Sequence, residues 1–151
     1  MLRLTKKLLF AIEAVLDIAY NAGTSPVQSG GITGRQGIPR RYLEQVLQQL
    51  VRAGILAGVR GPRGGYRLAR ERRRITIGEI VRVVRALESG DDPLEGEAGS
   101  DLGRNVVRPL WAELQEELMR RLDTVTIEEL CTRAHQAGIA GEYAARLDFS
   151  I

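Results

Sequence analysis

The sequence is poor in the residues that stabilise secreted proteins and in the long apolar runs of membrane proteins. It has one cysteine, Cys131, which excludes a disulfide within the chain and is typical of a reducing compartment. No run approaches the roughly 20 apolar residues of a membrane span. The first residues lead into a charged helical pattern rather than an apolar signal segment. We therefore expect a cytoplasmic protein.

Residue sets that support catalysis are also missing from the sequence. We find no nucleophile–base–orienter set, no metal-binding motif and no glycine-rich phosphate loop. The one histidine, His135, is expected at the surface rather than as a ligand. We therefore predict a protein that is not an enzyme and that has no metal site.

Charge is distributed very unevenly along the chain. Residues 1–75 hold 14 Lys/Arg against 4 Asp/Glu, a net charge of +10, whereas residues 76–151 hold 8 against 15, a net charge of −7. A strongly basic half is suited to a polyanion such as DNA. From charge alone, an ordinary solvated basic face remains an alternative.

Helical periodicity in the basic half predicts a helix-turn-helix. Apolar residues at three- and four-residue steps predict a helix over residues 5–20, with Thr5 as its N-cap. A weak, glycine-rich helix is expected to end near residue 36, and Pro39 is well placed in the first turn of the next helix, which stops at Gly54. Two short helices joined by a tight turn are typical of this motif.

A basic hairpin follows the second of these helices. Strand-like residues 55–59 and 66–68 flank a segment that contains Arg60, Gly61 and Arg63. Its glycines permit the positive φ values of a hairpin bend. We interpret the hairpin as a basic wing, with Arg63 on a phosphate. The arginines after it, at positions 70, 72, 73 and 74, are expected to add general attraction to DNA, with an ordinary solvated face as the alternative.

The C-terminal half is predicted to be helical. The spacing of Thr76 and Glu79 is that of a capping box opening a helix to about residue 88, and residues 89–103 form an acidic, glycine-rich loop. Helices follow at about 105–122 and from Thr126 to Gly138, whereas residues 139–151 show no clear period. The predicted fold is mainly α with a small β wing. We assign a winged helix-turn-helix domain to residues 1–75, a helical dimerisation and regulatory region to 76–137 and a C-terminal tail to 138–151.

The first turn of the second helix carries side chains suited to the major groove. Arg41 can bond guanine O6 and N7, Gln45 can pair with adenine, and Glu44 can accept from the cytosine amino group. Arg40 and Tyr42 suit phosphate. Two alternatives remain open: Glu44 balances a neighbouring charge, and Tyr42 packs inside the protein.

Several short motifs, in order and at the right spacing, resemble the Rrf2 family of winged-helix regulators. The motifs are Arg3-Leu4-Thr5, Arg35-Gln36-Gly37-Ile38, Tyr42-Leu43-Glu44-Gln45, Ala53-Gly54, Val59-Arg60-Gly61-Pro62, Gly64-Gly65-Tyr66, Ile77-Gly78-Glu79, Leu110-Trp111 and Ile127-Glu128-Glu129-Leu130. The resemblance implies a homodimeric transcriptional repressor on an inverted-repeat operator. It also implies that Arg41, Glu44 and Gln45 face bases and that Arg60 enters the minor groove.

The resemblance further implies that the long helix crosses its partner in the dimer. The dimerisation residues would be those on its apolar side, Val107, Leu110, Trp111, Leu114 and Leu118. The alternative is that this side packs within one chain.

Cluster-binding members of the family carry three cysteines in the loop before the long helix, and this chain has none between residues 88 and 107. Arg108-Pro109 stands where some members have a histidine. We therefore expect no cofactor, and in particular no iron–sulfur cluster. Cys131 lies at an apolar helical position and is read as a buried thiol rather than a redox switch. These features favour the cluster-free, cysteine-metabolism repressor (CymR-like) branch.

The final residues, Asp148, Phe149, Ser150 and Ile151, resemble serine acetyltransferase tails that enter cysteine synthase (O-acetylserine sulfhydrylase). A chance apolar ending is the alternative. Three functions follow: a repressor of cysteine or sulfur genes acting with cysteine synthase, a regulatory subunit of that enzyme without a DNA role, or a repressor that responds to a small molecule or an oxidant.

Overall fold

In the computed structural model, residues 4–88 and 99–149 are described. Seven helices and one two-stranded antiparallel sheet make up these residues, with a 3-10 turn at Arg72–Arg74 and a π-helical turn at Gly103–Val107. The elements are α1 Lys6–Asn21, α2 Ser29–Gln36, α3 Arg40–Arg52, β1 Leu56–Val59, β2 Gly65–Leu68, α4 Ile77–Leu87, α5 Arg108–Leu122, α6 Ile127–Gln136 and α7 Glu142–Phe149. None of the described helices is long and apolar enough to cross a membrane.

Helix α1 is the centre of the fold. One side of it is fully buried, including Ala11, Ala14, Val15 and Ile18, and helices α2, α3, α4, α6 and α7 all pack against it. Alanines in the stripe, Ala11 and Ala14, let neighbouring helices approach closely, while Val15 and Ile18 fill the space between them. A single helix therefore connects the predicted DNA-binding half to the C-terminal helices.

Three threonines begin helices as the sequence predicts. The side chain of Thr5 accepts from the Leu8 amide at 3.2 Å, and Thr126 accepts from the Glu129 amide at 3.1 Å. Thr76 and Glu79 form both bonds of the predicted capping box. Each such cap satisfies a backbone donor that the helix leaves unpaired, which stabilises it by about 1 kcal/mol.

The helix-turn-helix is formed by α2 and α3. Gly37 ends α2 in the left-handed conformation with φ 65°, which a side chain would disfavour. Ile38 is buried below the turn and Pro39 precedes α3. The turn is therefore fixed both by its backbone and by an apolar anchor.

Two segments differ from the sequence-based expectation. The long helix is preceded by the π-helical turn that starts at Gly103 rather than by loop, and the segment without a period contains α7. Helix α7 is stabilised from outside: Tyr143 is buried with its ring 5.7 Å from the ring of Tyr20, whose hydroxyl donates to the Ile139 carbonyl. Much of the predicted acidic loop, residues 89–98, lies outside the described residues.

Candidate nucleic-acid interface

The recognition helix α3 separates an apolar side from an exposed polar side. Its inner side is fully buried and consists of Leu43, Val46, Leu47 and Leu50. The predicted base-reading residues Arg41, Glu44 and Gln45 are exposed, as is Arg40. The buried side holds the helix on the core while its first turns stay available to a ligand.

Glu44 is paired within the helix. Its carboxylate Oε1 lies 3.1 Å from Nε of Arg40, one turn earlier, and both side chains are exposed. Exposed pairs of this kind contribute only about 0.3–0.5 kcal/mol. The pair orients Glu44 in the free protein and is weak enough to be exchanged for contacts to DNA.

Tyr42 anchors α3 to α1. Its hydroxyl donates to the Lys7 carbonyl, and its ring packs at 6.2 Å from the ring of Phe10. Burial, with a smaller effect of the Glu88 charge, raises the pKa of Tyr42 to about 12. This geometry corresponds to the packing alternative for Tyr42 rather than to a free phosphate donor.

The wing forms between the paired strands. Leu56 pairs with Leu68 and Val59 with Gly65, and the connection carries exposed Arg60, Gly61 and Arg63. Gly61 has φ 109°, a conformation that L side chains rarely adopt. The hairpin thus holds two arginines at an exposed tip.

The base of the wing is fastened to the segment before α2. Val27 and Tyr66 exchange backbone hydrogen bonds of 2.9 and 2.8 Å. The guanidinium of Arg67 donates to the carbonyls of Gly23 and Thr24 at 3.0 and 2.6 Å. The wing and the helix-turn-helix are therefore linked by directional bonds.

Two arginines of the run after the wing, Arg70 and Arg72, make structural contacts that the sequence did not predict. Arg70 donates to the carbonyls of Gly54 and Arg74 and to Glu79. Arg72 donates twice to the Ala19 carbonyl and stacks 5.2 Å from the centre of the Tyr143 ring. These two residues hold the fold together, and their general attraction to DNA stays a prediction.

The predicted dimerisation side of α5 is exposed in the single chain. No residue of α5 is buried. Trp111 and Leu114 are 47% and 45% exposed, and the other members of the predicted apolar side are similarly exposed: Val107, Leu110 and Leu118. The alternative to dimerisation requires this side to pack against the core of the same chain. In the single chain it does not.

The predicted partner-binding residues are only partly described. Asp148 Oδ1 lies within hydrogen-bond distance of His135 Nε2, at 3.0 Å, and Phe149 is 94% exposed. Ser150 and Ile151 lie outside the described residues. The described end of α7 therefore presents an aromatic side chain to solvent.

Comparison with known proteins identifies the family. The family model described as "Rrf2: Iron-dependent Transcriptional regulator" matches residues 4–133. The chain belongs to the Rrf2 family. Among curated relatives, the HTH-type transcriptional regulator IscR of Klebsiella pneumoniae strain 342 is 37% identical over 142 residues, covering 93% of this chain and 86% of the relative. This Rrf2 protein is accordingly a DNA-binding transcriptional regulator, a class that does not include enzymes.

Solved structures confirm the predicted fold of the Rrf2 protein. IscR of T. potens aligns with a TM-score of 0.72 and 33% identity, covering 95% of this chain and 96% of that one. CymR of B. subtilis, described as the global cysteine regulator, aligns with a TM-score of 0.69 and 29% identity, covering 88% and 98%. Similarity to both leaves the assignment to one branch as a proposal.

The comparisons overturn the expectation that the protein uses no cofactor. The family is described as iron-dependent, and the relatives include IscR, the iron–sulfur-cluster regulator of the family. The prediction of no iron–sulfur cluster is therefore wrong. It rested on the missing loop cysteines and on Arg108-Pro109 at the histidine position, and such a count of donors does not carry the information that relatedness does.

The donors of the chain do not by themselves form the usual cluster ligand set. Cys131 is fully buried, and burial raises the pKa of its thiol to about 11. Within residues 4–88 and 99–149, no group of three or more His, Cys, Asp or Glu could hold a metal ion. These residues do not fit a cluster ligated within one chain.

Sequence reasoning missed one polar contact at the helix-turn-helix. Asp17 lies buried in α1 and binds Arg35 and Gln36 at the end of α2. The available signal was an acidic residue between Val15 and Ile18, inside an apolar stripe, which calls for a partner when it is buried.

Proposed function

We propose that this Rrf2 protein is a homodimeric, sequence-specific repressor that acts on DNA in the cytoplasm and reads an inverted-repeat operator. The observation that carries the proposal is the exposure of Arg41 and Gln45 on a helix whose other side is buried. Exposed wing arginines Arg60 and Arg63 supply the flanking contacts. A role only as a regulatory subunit of cysteine synthase would not explain the exposed residues of α3 or the wing arginines.

The exposed apolar side of the long helix supports the proposed dimer. Apolar residues from Val107 to Leu118 repeat on one side of the helix and are exposed in the single chain. Contiguous exposed apolar side chains are typical of interfaces, and two-fold contacts between identical helices are the commonest closed arrangement. Two recognition helices in such a dimer would meet half-sites about one helical turn, or a multiple of it, apart.

Substitutions in α3 and in the wing should affect DNA binding differently. Arg41→Ala is expected to weaken operator binding by about 1–3 kcal/mol and to relax sequence preference, because a bidentate contact to guanine is lost. Arg63→Ala is expected to weaken all duplexes alike, because a phosphate contact carries no sequence information. Titrations with operator and scrambled duplexes at one salt concentration compare the two variants. Equal losses on both duplexes for both variants would contradict the assignment.

For the regulated genes, we propose cysteine or sulfur metabolism, with cysteine synthase as the partner of the C-terminal residues. Two observations support this: the similarity to CymR, a cysteine regulator, and the exposed Phe149 at the end of α7. A partner pocket could take Phe149 and the residues after it, with Asp148 at its rim.

Binding to cysteine synthase tests this part of the proposal. Phe149→Ala and deletion of Ile151 are each expected to reduce binding by at least about tenfold, since each removes an apolar side chain that the partner would bury. Dimerisation and operator affinity should not change. Ile139→Ala is the matched control, because this side chain is also exposed, at 55%, but lies before α7. Calorimetry with purified cysteine synthase measures the effect, and undiminished binding of both variants would remove the assignment.

A second candidate is a repressor that responds to iron supply, as the name of its family suggests. The observation that favours it is the 37% identity to IscR across 93% of the chain. Genes bound in iron-starved and in cysteine-starved cells would separate the two candidates. A response to oxidants through Cys131 is the weakest alternative, because a buried thiol with a pKa of about 11 is protonated at neutral pH.

A further inference from the structure

Asp17 is the one buried charged residue among those the structure describes. Its side chain is fully inaccessible, in an α1 stripe that is otherwise apolar. A carboxylate is costly to bury unless it is paired and hydrogen-bonded. The position therefore demands specific partners, and any that it has must be held in a defined geometry.

Those partners are the last two residues of α2. Arg35 donates from Nε to Oδ2 at 2.9 Å and from Nη2 to Oδ1 at 2.8 Å, and Gln36 donates from Nε2 to Oδ2 at 2.8 Å. The Arg35 contact is bidentate, the geometry in which a guanidinium and a carboxylate bind most strongly and with defined orientation. Two of the three guanidinium nitrogens of Arg35 are thus engaged by Asp17.

The clamp of Asp17, Arg35 and Gln36 sits where the chain turns toward the recognition helix. Gly37 follows directly in the left-handed conformation, its amide bonded to the Thr33 carbonyl at 3.0 Å. Helix α3 starts at Arg40, three residues after Gly37. The end of α2 is thereby the fixed point from which the first turn of α3 departs.

Other contacts of α3 constrain it differently. Its buried leucines and valine hold the body of the helix by apolar packing, which is non-directional. The Tyr42 hydroxyl bonds to Lys7 at the start of α1. The clamp instead bonds the end of α2 to the C-terminal half of α1, so together these bonds define the direction of the first turn of α3.

We propose that Asp17 is a positioning residue for DNA reading: through Arg35 and Gln36 it sets the direction in which α3 presents Arg41, Glu44 and Gln45 to the operator. The proposal rests on the base-reading role of α3 proposed above. The apolar side of α3 holds the helix on the core, whereas the clamp sets its direction.

The test is the ratio of operator affinity to affinity for scrambled DNA. The operator is the duplex that the wild-type protein selects from a random pool. Asp17→Asn keeps the shape of the side chain and removes its charge, and Arg35→Gln removes the bidentate partner. Each is expected to lower the operator-to-scrambled ratio by about tenfold, the scale of one hydrogen bond to a charged group. Affinity of Asp17→Asn for scrambled DNA should stay the same or rise slightly, because the variant is more positive.

Two further variants separate aiming from folding and from charge. The Asp17→Asn/Arg35→Gln double variant is expected to lose no more specificity than either single variant, because the clamp acts as a unit. Arg52→Gln removes an exposed arginine at the far end of α3 and should weaken operator and scrambled DNA together. Thermal unfolding verifies that each variant is folded.

An unchanged ratio in folded Asp17→Asn would overturn the proposal. Should Asp17→Asn fail to fold, Arg35→Lys decides, since the Arg35 side chain is 45% exposed and a lysine keeps a positive charge near the buried carboxylate while removing the bidentate geometry. An unchanged ratio in that variant would overturn the proposal equally. A wild-type protein that selects no operator would instead contradict the proposed function, so the two failures are distinguishable.

Discussion

Replacing Leu114 with glutamate is expected to give a monomer that has lost nearly all operator affinity. Leu114 lies in the middle of the exposed apolar side of α5, one turn from Leu110 and Leu118. Two symmetry-related carboxylates facing each other in an apolar contact would have to be desolvated without partners. A monomer engages one half-site, and loss of the second site typically weakens binding by about 10²–10⁴-fold.

The matched control is Ala112→Glu. Ala112 is exposed on the same helix but lies roughly 160° around it from Leu114. The Ala112→Glu protein should stay dimeric and bind the operator with wild-type affinity. Sedimentation gives the oligomeric state, and a duplex titration gives the affinity. A dimeric Leu114→Glu protein, or a monomeric one with wild-type operator affinity, would contradict the role assigned to this side.

The elements of the DNA-binding half could be predicted because their signals are local. Caps at Thr5 and Thr76 act within four residues of themselves, and the apolar stripe of α3 repeats over a few turns. The wing is similar, since its glycines and its strands are adjacent in the chain. Periodicity and turn chemistry suffice for such elements.

Contacts between distant segments could not be predicted in the same way. Arg72 meets the Ala19 carbonyl across 53 positions of sequence, and Asp17 meets Arg35 across 18. Both depend on how helices pack around α1. Helix α7 could not be predicted for the same reason: it has little periodicity of its own and is stabilised by the packing of Tyr143 against Tyr20. Tertiary packing overrides weak local preference in such cases.

The cofactor expectation was wrong for a different physical reason. The expectation was drawn from the thiolate and histidine donors that one chain offers, namely the missing loop cysteines and the Arg108-Pro109 pair. Such a count describes the donors of one chain, whereas the iron-dependent description belongs to the family that the chain matches over residues 4–133. The donors of one chain therefore restrict how the protein could ligate a cluster, and they do not decide whether the protein uses one.

The remaining large effect concerns the wing, where Gly65→Ala is expected to displace the whole hairpin. A Cβ at Gly65 would lie 2.3 Å from the Val27 carbonyl oxygen and 2.7 Å from its carbon. Both are backbone atoms, so neither can move aside as a flexible side chain would. Relief of this overlap breaks the paired bonds between Val27 and Tyr66, which fasten the wing to the segment before α2.

Overpacking of this kind costs about 1–3 kcal/mol, which lowers the Tm of a chain of this size by roughly 2–10 °C. Operator affinity should fall by at least about tenfold, because the lost wing contacts of Arg60 and Arg63 are each worth about 1 kcal/mol or more. Gly58→Ala is the matched control: it makes the same change in the neighbouring strand, where a Cβ meets nothing within 4 Å. Calorimetric unfolding and operator titration of both variants provide the comparison. If Gly65→Ala matched Gly58→Ala in Tm and in affinity, the wing would not depend on its attachment to Val27, and its arginines would need another means of reaching the DNA.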